Sequence, residues 1–123
     1  MGSNFNRIRI SQDATKMLAT LKSKTGLTPN ILCRIALSYA LNKHKVSNLI
    51  PIKEDGQEFV RFVLLGEYDI VYVSLVKQKC YELNFDPETD FLKVFKNYLN
   101  DGIITLYARV KSIGDIVNLL EEK

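Results

Sequence analysis

The sequence is poor in the residues that most often bind metals or attack substrates. Its 123 residues include one histidine, two cysteines and no tryptophan. Cys33, Cys80 and His44 do not have the spacing of a zinc site or of a Cys-His nucleophile pair. The composition therefore argues against both kinds of site, and no cofactor or metal is expected. It also predicts two reduced thiols in a cytoplasmic protein.

Long apolar runs are missing as well. The longest apolar-rich stretch, residues 70–76, falls far short of the ~20 residues that span a bilayer. The N-terminal segment lacks the apolar core of a secretory signal. We therefore expect no membrane partner. A chain of this length is expected to form a single domain over residues 1–123.

Charge is abundant but unevenly distributed. The net charge is +3, yet residues 1–45 carry eight basic residues and one acidic residue, whereas residues 46–90 carry four basic and nine acidic residues. The basic first third predicts a polyanionic partner for that part of the chain. The acidic middle is expected to face solvent or another protein.

The first elements are a short strand and a helix. Residues 6–10, "NRIRI", alternate polar and apolar side chains, which is typical of a half-buried strand. Residues 13–24 have the three-to-four spacing of an amphipathic helix. Ser11 is placed to cap the start of this helix, and Gly26 is placed to end it in a left-handed conformation.

A second helix is predicted directly after this turn. Thr28 is expected to cap it, Pro29 suits its first turn, and its apolar positions continue to about Lys43. A short strand, a helix, a tight turn and a second helix make residues 6–45 a ribbon-helix-helix-like unit.

Residues 46–123 are expected to be helical apart from one strand at 58–65. The predicted helices are at 67–83, 86–102, 103–110 and 115–120. The packed stripe of the first of these is predicted to contain Tyr68, Val71, Tyr72, Leu75 and Val76. The expected fold class is mainly α, with a ribbon-helix-helix-like N-terminal unit plus a helical C-terminal part with one short strand.

The N-terminal unit suggests DNA binding. In ribbon-helix-helix proteins, two chains each contribute a strand to a ribbon that enters the major groove. Arg7 and Arg9 are expected to point outward, where guanidinium groups can bond guanine edges or phosphates. The helix that begins after Thr28 is expected to direct free N–H groups at a phosphate, although the same residue can serve as a plain cap.

Several stretches of the chain resemble the DndE family of the bacterial DNA sulfur-modification (phosphorothioation) system. They are "NRIRIS", "TGLTPNILCRIAL", "EDGQEFVRFVLLGEYD", "DPETDF", "YLNDGI" and "ARVKSIGDI", in one order over nearly the whole chain. The resemblance implies a non-catalytic, DNA-binding homotetramer that prefers nicked duplex and binds it through surface lysines. It also implies three partners from the same system: the cysteine desulfurase, the iron–sulfur sulfurtransferase and the ATPase.

The basic first third and the matching motif together give a set of candidate DNA-binding residues. The motif contributes Arg7, Thr28, Asn30 and Arg34, and the first helix contributes lysines. The full set is Arg7, Arg9, Lys16, Lys22, Lys24, Thr28, Asn30, Arg34, Lys43 and Lys45.

Other residues permit other chemistry. Cys33 suggests a sulfur carrier, but a free cysteine in an apolar helix usually packs as a small hydrophobe. His44 follows a helix end, where a dipole partner is favoured over a general base. The aromatic pairs Tyr68/Tyr72 and Phe91/Phe95 fit a core or a subunit interface better than base stacking, because they share apolar helix faces.

Three further functions therefore stay open beside a binding subunit. A metal-dependent nickase would use the acidic residues of the middle segment, which also fit turns and helix starts: Glu54, Asp55, Glu58, Glu67 and Asp69. A ribbon-helix-helix repressor would need a palindromic operator. A scaffold would bind chiefly to other proteins through the acidic middle.

Overall fold

The computed structural model describes residues 4–122, and the sheet in it is formed within one chain. Strand β1 (Arg7–Arg9) pairs antiparallel with strand β2 (Glu58–Val60), with Ile8 opposite Phe59. These two apolar residues are buried and face the core. In a ribbon-helix-helix protein, β1 would pair with the same strand of a second copy. That prediction is wrong for the edge of β1 that pairs with β2, a strand about fifty residues further along the same chain.

The first two helices begin and end close to the predicted positions. Helix α1 (Gln12–Thr25) is capped by the Ser11 hydroxyl, which accepts a hydrogen bond from the N–H of Ala14 at 3.1 Å. Gly26 ends it with φ 78°, a left-handed conformation that glycine adopts without strain. Both predictions are confirmed.

Helix α2 (Pro29–Lys43) has proline in its first turn, as predicted. Thr28 is in the extended conformation of a cap residue, but its side chain accepts no hydrogen bond from the helix. The predicted side-chain cap at this position is therefore wrong, and the first turn of α2 is left without one.

The predicted strand at 58–65 is half right. The ladder ends where the N–H of Arg61 donates to the carbonyl of Asn6, and the chain then turns into helix α3 (Arg61–Leu65). The guanidinium of Arg34 donates to the carbonyls of Leu64 at 2.7 Å and Val63 at 3.1 Å. These bonds satisfy carbonyl groups that a helix end would otherwise leave unpaired, and they favour the helical turn.

Helix α4 (Asp69–Glu82) follows a 3₁₀ turn at Gly66–Tyr68. Its buried residues are spaced by four: Tyr72, Val76 and Cys80. The other three members of the predicted packed stripe are about half exposed, at 51% for Tyr68, 49% for Val71 and 43% for Leu75. That part of the prediction is wrong for the core of one chain, because the apolar residues of α4 lie on two faces.

Helix α5 (Phe91–Arg109) runs straight through Gly102, where the sequence predicted an end. It starts later than predicted, after a turn in which Asp86 accepts bonds from the N–H groups of Glu88 and Thr89. The predicted separate helix at 103–110 is therefore the second half of α5. Helix α6 (Ile113–Leu120) then closes the described chain.

Helices α2 and α5 form the centre of the molecule, and α1 and α4 each pack against both. Phe91 and Phe95 are fully buried beside Phe5, with ring centroids 5.4–6.3 Å apart. The fold is thus mainly α, as predicted, with a two-stranded sheet formed within the chain. Within residues 4–122, no helix is both long and apolar enough to span a membrane.

Candidate nucleic-acid interface

The lysines of α1 are the most available cations of the first third. Lys16, Lys22 and Lys24 are all exposed, and within residues 4–122 none of them lies within 4 Å of a carboxylate oxygen. At about 100° per residue, Lys16 lies near the middle of the outer side of the helix, and the other two lie on its opposite flanks. The outer surface of α1 is therefore broadly basic, but its lysines do not form one narrow stripe.

Arg7 and Arg9 point outward from β1, as the alternation predicted, but they share a carboxylate. Their guanidinium groups lie 2.9 and 3.3 Å from the two oxygens of Glu58 on β2, and Arg9 also donates to the carbonyl of Gly56. Both arginine side chains stay largely exposed, at 63% and 45%. The strand pair thus presents a net charge of about +1 rather than +2, since one carboxylate offsets one guanidinium.

Arg34 points toward its own chain. It is half-buried, and two of its guanidinium nitrogens are bonded to carbonyls of α3. Asn30, in the first turn of α2, is also half-buried, whereas Thr28, which precedes the helix, is exposed. Arg34 thus has a clear structural role, in positioning α3 on α2.

Lys43 and Lys45 lie at the other end of α2, and both are exposed. Near them, Arg109 pairs with Glu122 and also donates to the Tyr39 hydroxyl at 2.8 Å. The bond from Arg109 holds the pKa of the Glu122 carboxyl below its usual range, and Lys43 adds a smaller effect in the same direction. The positive charge at this end is therefore partly balanced.

His44 forms part of this same end of α2. Its Nδ1 atom lies 3.6 Å from Asp101, and its backbone N–H donates to the carbonyl of Ala40 at the end of the helix. This position fits the predicted role at a helix end.

Both thiols are buried, as predicted for Cys33. Burial raises the pKa of the Cys33 thiol to about 12, and burial is also the largest cause of the raised pKa of Cys80. A thiolate is the reactive form of cysteine, so neither side chain has the properties of a sulfur carrier in this conformation.

The acidic residues of the middle segment pair with separate partners. Glu54 pairs with Lys96, and Asp55 accepts a bond from the N–H of Gln12 at 2.8 Å. Asp69 forms two hydrogen bonds with Arg61 and has its pKa lowered by them. Among residues 4–122, no group of three or more His, Cys, Asp and Glu side chains is placed to hold a metal ion.

The aromatic residues divide into two sets. Tyr72, Phe91 and Phe95 are buried in the core, as predicted. Tyr68 is half exposed, and Phe62 in the preceding helix is 81% exposed. This exposed apolar surface was not predicted, although the Phe-, Val- and Leu-rich run at residues 59–65 is a signal that could have indicated it.

These features define a small, mainly helical domain with a basic outer helix and a buried pair of thiols. A family model described as DNA sulphur modification protein DndE matches residues 7–113. The chain therefore belongs to the DndE family, and it is a member of the DNA phosphorothioation system, as its sequence motifs suggested.

Solved structures agree with this assignment. The crystal structure of DndE from Escherichia coli B7A, described as involved in DNA phosphorothioation modification, is 27% identical with a TM-score of 0.70, covering 83% of this chain and 96% of that one. A glycine-to-lysine mutant of DndE is 24% identical with a TM-score of 0.67, covering 83% and 97%, and supports the fold alone. No functionally curated protein shows significant similarity to the chain.

Proposed function

We propose that this chain is a non-catalytic DNA-binding subunit of the phosphorothioation system, acting on intact and nicked duplex as a homo-oligomer, with four copies as the expected number. The observation that carries the proposal is the set of accessible lysines on α1 that have no carboxylate partner among residues 4–122: Lys16, Lys22 and Lys24. A lysine without a nearby carboxylate can neutralise a phosphate without first breaking an ion pair. Family membership supplies DNA as the polyanion that these lysines serve.

The candidate residues take different roles in this proposal. The α1 lysines supply most of the phosphate contacts, and Lys43 and Lys45 extend the basic surface. Arg7 and Arg9 contribute one net charge and can still donate to phosphates through nitrogens that Glu58 does not occupy. Thr28 and Asn30 lie where the start of α2 can meet a phosphate, while Arg34 is a positioning residue for α3.

A binding role without base readout is favoured over a ribbon-helix-helix repressor. The strand that would enter the major groove is paired within its own chain, and its two arginines share a carboxylate. Phosphate contacts position a protein on DNA but carry no sequence information. We therefore expect similar affinity for unrelated duplexes of equal length.

Absence of catalysis is supported by how the acidic residues are used. Glu54, Asp55 and Asp69 are bound by different basic or N–H groups, so their oxygens do not converge on one point. Supercoiled plasmid incubated with Mg²⁺ or Mn²⁺ is expected to stay intact to the level of an EDTA control. Metal-dependent nicking by the purified chain would refute this part of the proposal.

The decisive experiment compares two variants with the same change in charge. Lys22→Glu/Lys24→Glu alters the α1 surface, and Lys53→Glu/Lys111→Glu alters two exposed lysines elsewhere. The first is expected to weaken binding to every duplex at least tenfold, and to lower the slope of log K against log salt by ~0.9 for each phosphate that the variant no longer neutralises. The second controls for net charge and is expected to have a smaller effect. Equally weakened binding in the two variants would mean that α1 is not the binding surface.

The proposal also includes the other components of the system as partners. The basic residues are concentrated in the first third of the chain and the acidic residues in the middle segment. A protein that binds the acidic segment therefore need not compete with DNA for the basic surface. Pull-down of the cysteine desulfurase, the iron–sulfur sulfurtransferase or the ATPase after nuclease treatment tests this part. Loss of capture on nuclease treatment would show that DNA alone connects them.

A further inference from the structure

An unusually large apolar surface lies on β2, α3, the 3₁₀ turn and α4. It consists of seven exposed side chains, which we call the α3–α4 face: Val60, Phe62, Val63, Tyr68, Ile70, Val71 and Leu75. Phe62 and Ile70 are the most exposed, at 81% and 77%. The elements that carry these residues pack against each other, so the seven side chains belong to one region of the surface.

The area of this face is close to what a stable protein–protein contact requires. The exposed fractions add up to about four complete side chains. At ~150–200 Å² for each large apolar side chain, this corresponds to roughly 600–800 Å². Monomeric proteins rarely expose an apolar patch of more than a few hundred Å², and a standard interface buries about 800 Å² on each partner.

The shape of the face points to a second copy of the same chain. Beside the protruding Phe62 ring is a recess of about 440 Å³, lined by Phe5, Asn6, Val60, Arg61, Phe62, Gly66 and Asp69. A twofold contact requires that one surface carry both a projection and the hollow that receives it. The α3–α4 face has both, next to each other.

The charges at the recess also suit an aromatic occupant. Arg61 and Asp69 form a bidentate ion pair, with the Arg61 guanidinium carbon 4.6 Å from the centroid of the Phe5 ring. Because these two charges neutralise each other, an apolar ring can cover the recess without burying a lone charge.

We propose that the α3–α4 face is a twofold interface between two copies of this chain, in which the Phe62 ring of each copy enters the recess of the other. This assignment rests on the proposed homo-oligomer and gives it a location. The lysines of α1 belong neither to this face nor to the lining of the recess, so the contact does not use them.

Solution mass and DNA binding test the proposal together. Phe62→Glu and Ile70→Glu change highly exposed residues, so both variants are expected to fold, with thermal melting followed by circular dichroism as the check. Each is expected to weaken self-association at least 100-fold in analytical ultracentrifugation. Ile50→Glu, at a residue 58% exposed outside the face, is the matched control and is expected to leave the mass unchanged.

The outcomes separate the interface from the proposed function. A wild-type oligomer that keeps its mass in both face variants would overturn the interface, while DNA binding could still stand. A wild-type chain that stays at its monomer mass of 14.1 kDa at about 100 µM, well above the micromolar upper end of the Kd values of standard interfaces, would also overturn it and leave the face to another protein. Loss of DNA binding in Lys22→Glu/Lys24→Glu at unchanged mass bears only on the proposed function.

Cysteine cross-linking gives a second readout. Within residues 4–122 both native thiols are buried, whereas Val63 and Leu75 are about half exposed. In the variants Val63→Cys and Leu75→Cys, the new thiol is therefore the one that a maleimide can reach. Bifunctional maleimides of graded length are expected to link these variants into dimers, and an Ile50→Cys control is expected to stay monomeric on denaturing gels. Equal cross-linking of all three would contradict the assigned interface.

Discussion

Gly102 provides the sharpest test of how the central helices pack. A Cβ atom built on this residue would lie 2.0 Å from the carbonyl oxygen of Ala36 and 2.5 Å from its carbonyl carbon. Both atoms belong to the α2 backbone and cannot rotate away, so α2 and α5 would have to separate. We therefore expect Gly102→Ala to destabilise the protein, although alanine is the better helix former.

The size of the effect follows from two opposing contributions. Overpacking a core costs about 1–3 kcal/mol, and a backbone clash this short lies at the upper end. Replacing glycine by alanine within a helix returns about 1 kcal/mol. The net expectation is a loss of about 2 kcal/mol in the free energy of unfolding, or a fall in Tm of roughly 8 °C for a domain of this size.

Gly114 in α6 is the matched control. The nearest atom to its built Cβ is the Ser112 hydroxyl oxygen at 3.6 Å, an ordinary contact, and the residue is exposed. Gly114→Ala is expected to stabilise the protein by about 0.5 kcal/mol, because only the helix preference changes. Urea unfolding followed by circular dichroism measures both variants. Stabilisation of equal size in the two would refute the close crossing of α2 and α5.

Three further predictions concern buried or paired groups. Cys33 and Cys80 should react with iodoacetamide only as fast as the protein unfolds, so labelling should accelerate with urea; rapid labelling in native buffer would contradict their burial. Arg34→Ala should cost about 2–3 kcal/mol, because it leaves the carbonyl of a buried leucine unpaired, yet it should leave the salt slope of DNA binding unchanged. The lowered pKa of Asp69, caused by its bond to Arg61, contributes stability that is present above the ordinary carboxyl pKa of 3.8 and is lost as pH falls through the folded value. Asp69→Asn should therefore flatten the fall of Tm below pH 4, and an unchanged acid profile would count against the pair.

The features that the sequence predicted well are those with causes close by in the chain. The Ser11 cap, the left-handed Gly26 and the proline at the start of α2 each depend on atoms within four residues. The buried side of α1 also followed from spacing alone, since Ala14 and Leu18 lie on one face of a helix. Local geometry therefore decides the bounds of α1 and the start of α2 almost by itself.

The features that the sequence did not predict have causes far away in the chain. Helix α3 is favoured by Arg34, about thirty residues earlier, and the charge of the β1 arginines is reduced by Glu58, about fifty residues later. Gly102 looked like a helix end because glycine usually weakens helices, but here it permits the approach of Ala36. No pattern in a single sequence indicates such pairs, because each depends on the way distant segments pack.

The candidate site shows the same division. Exposure of the α1 lysines follows from helix periodicity, whereas the inward orientation of Arg34 depends on α3. The spacing of Val71 and Leu75 predicts a packed stripe on α4, and both residues are about half exposed in the single chain. Spacing shows that a face is apolar, but it does not show whether the same chain or another one covers it.

The two proposed surfaces together have a consequence that neither has alone. If copies associate through the α3–α4 face while their α1 lysines stay exposed, one assembly presents several basic surfaces to the same duplex. Linking two weak sites raises the overall affinity by up to ~10²–10⁴-fold without any new contact. Phe62→Glu should then weaken DNA binding and lower the salt slope although it removes no lysine, whereas Ile50→Glu should do neither. Full affinity in a monomeric Phe62→Glu variant would show that a single copy holds all the phosphates that the protein neutralises.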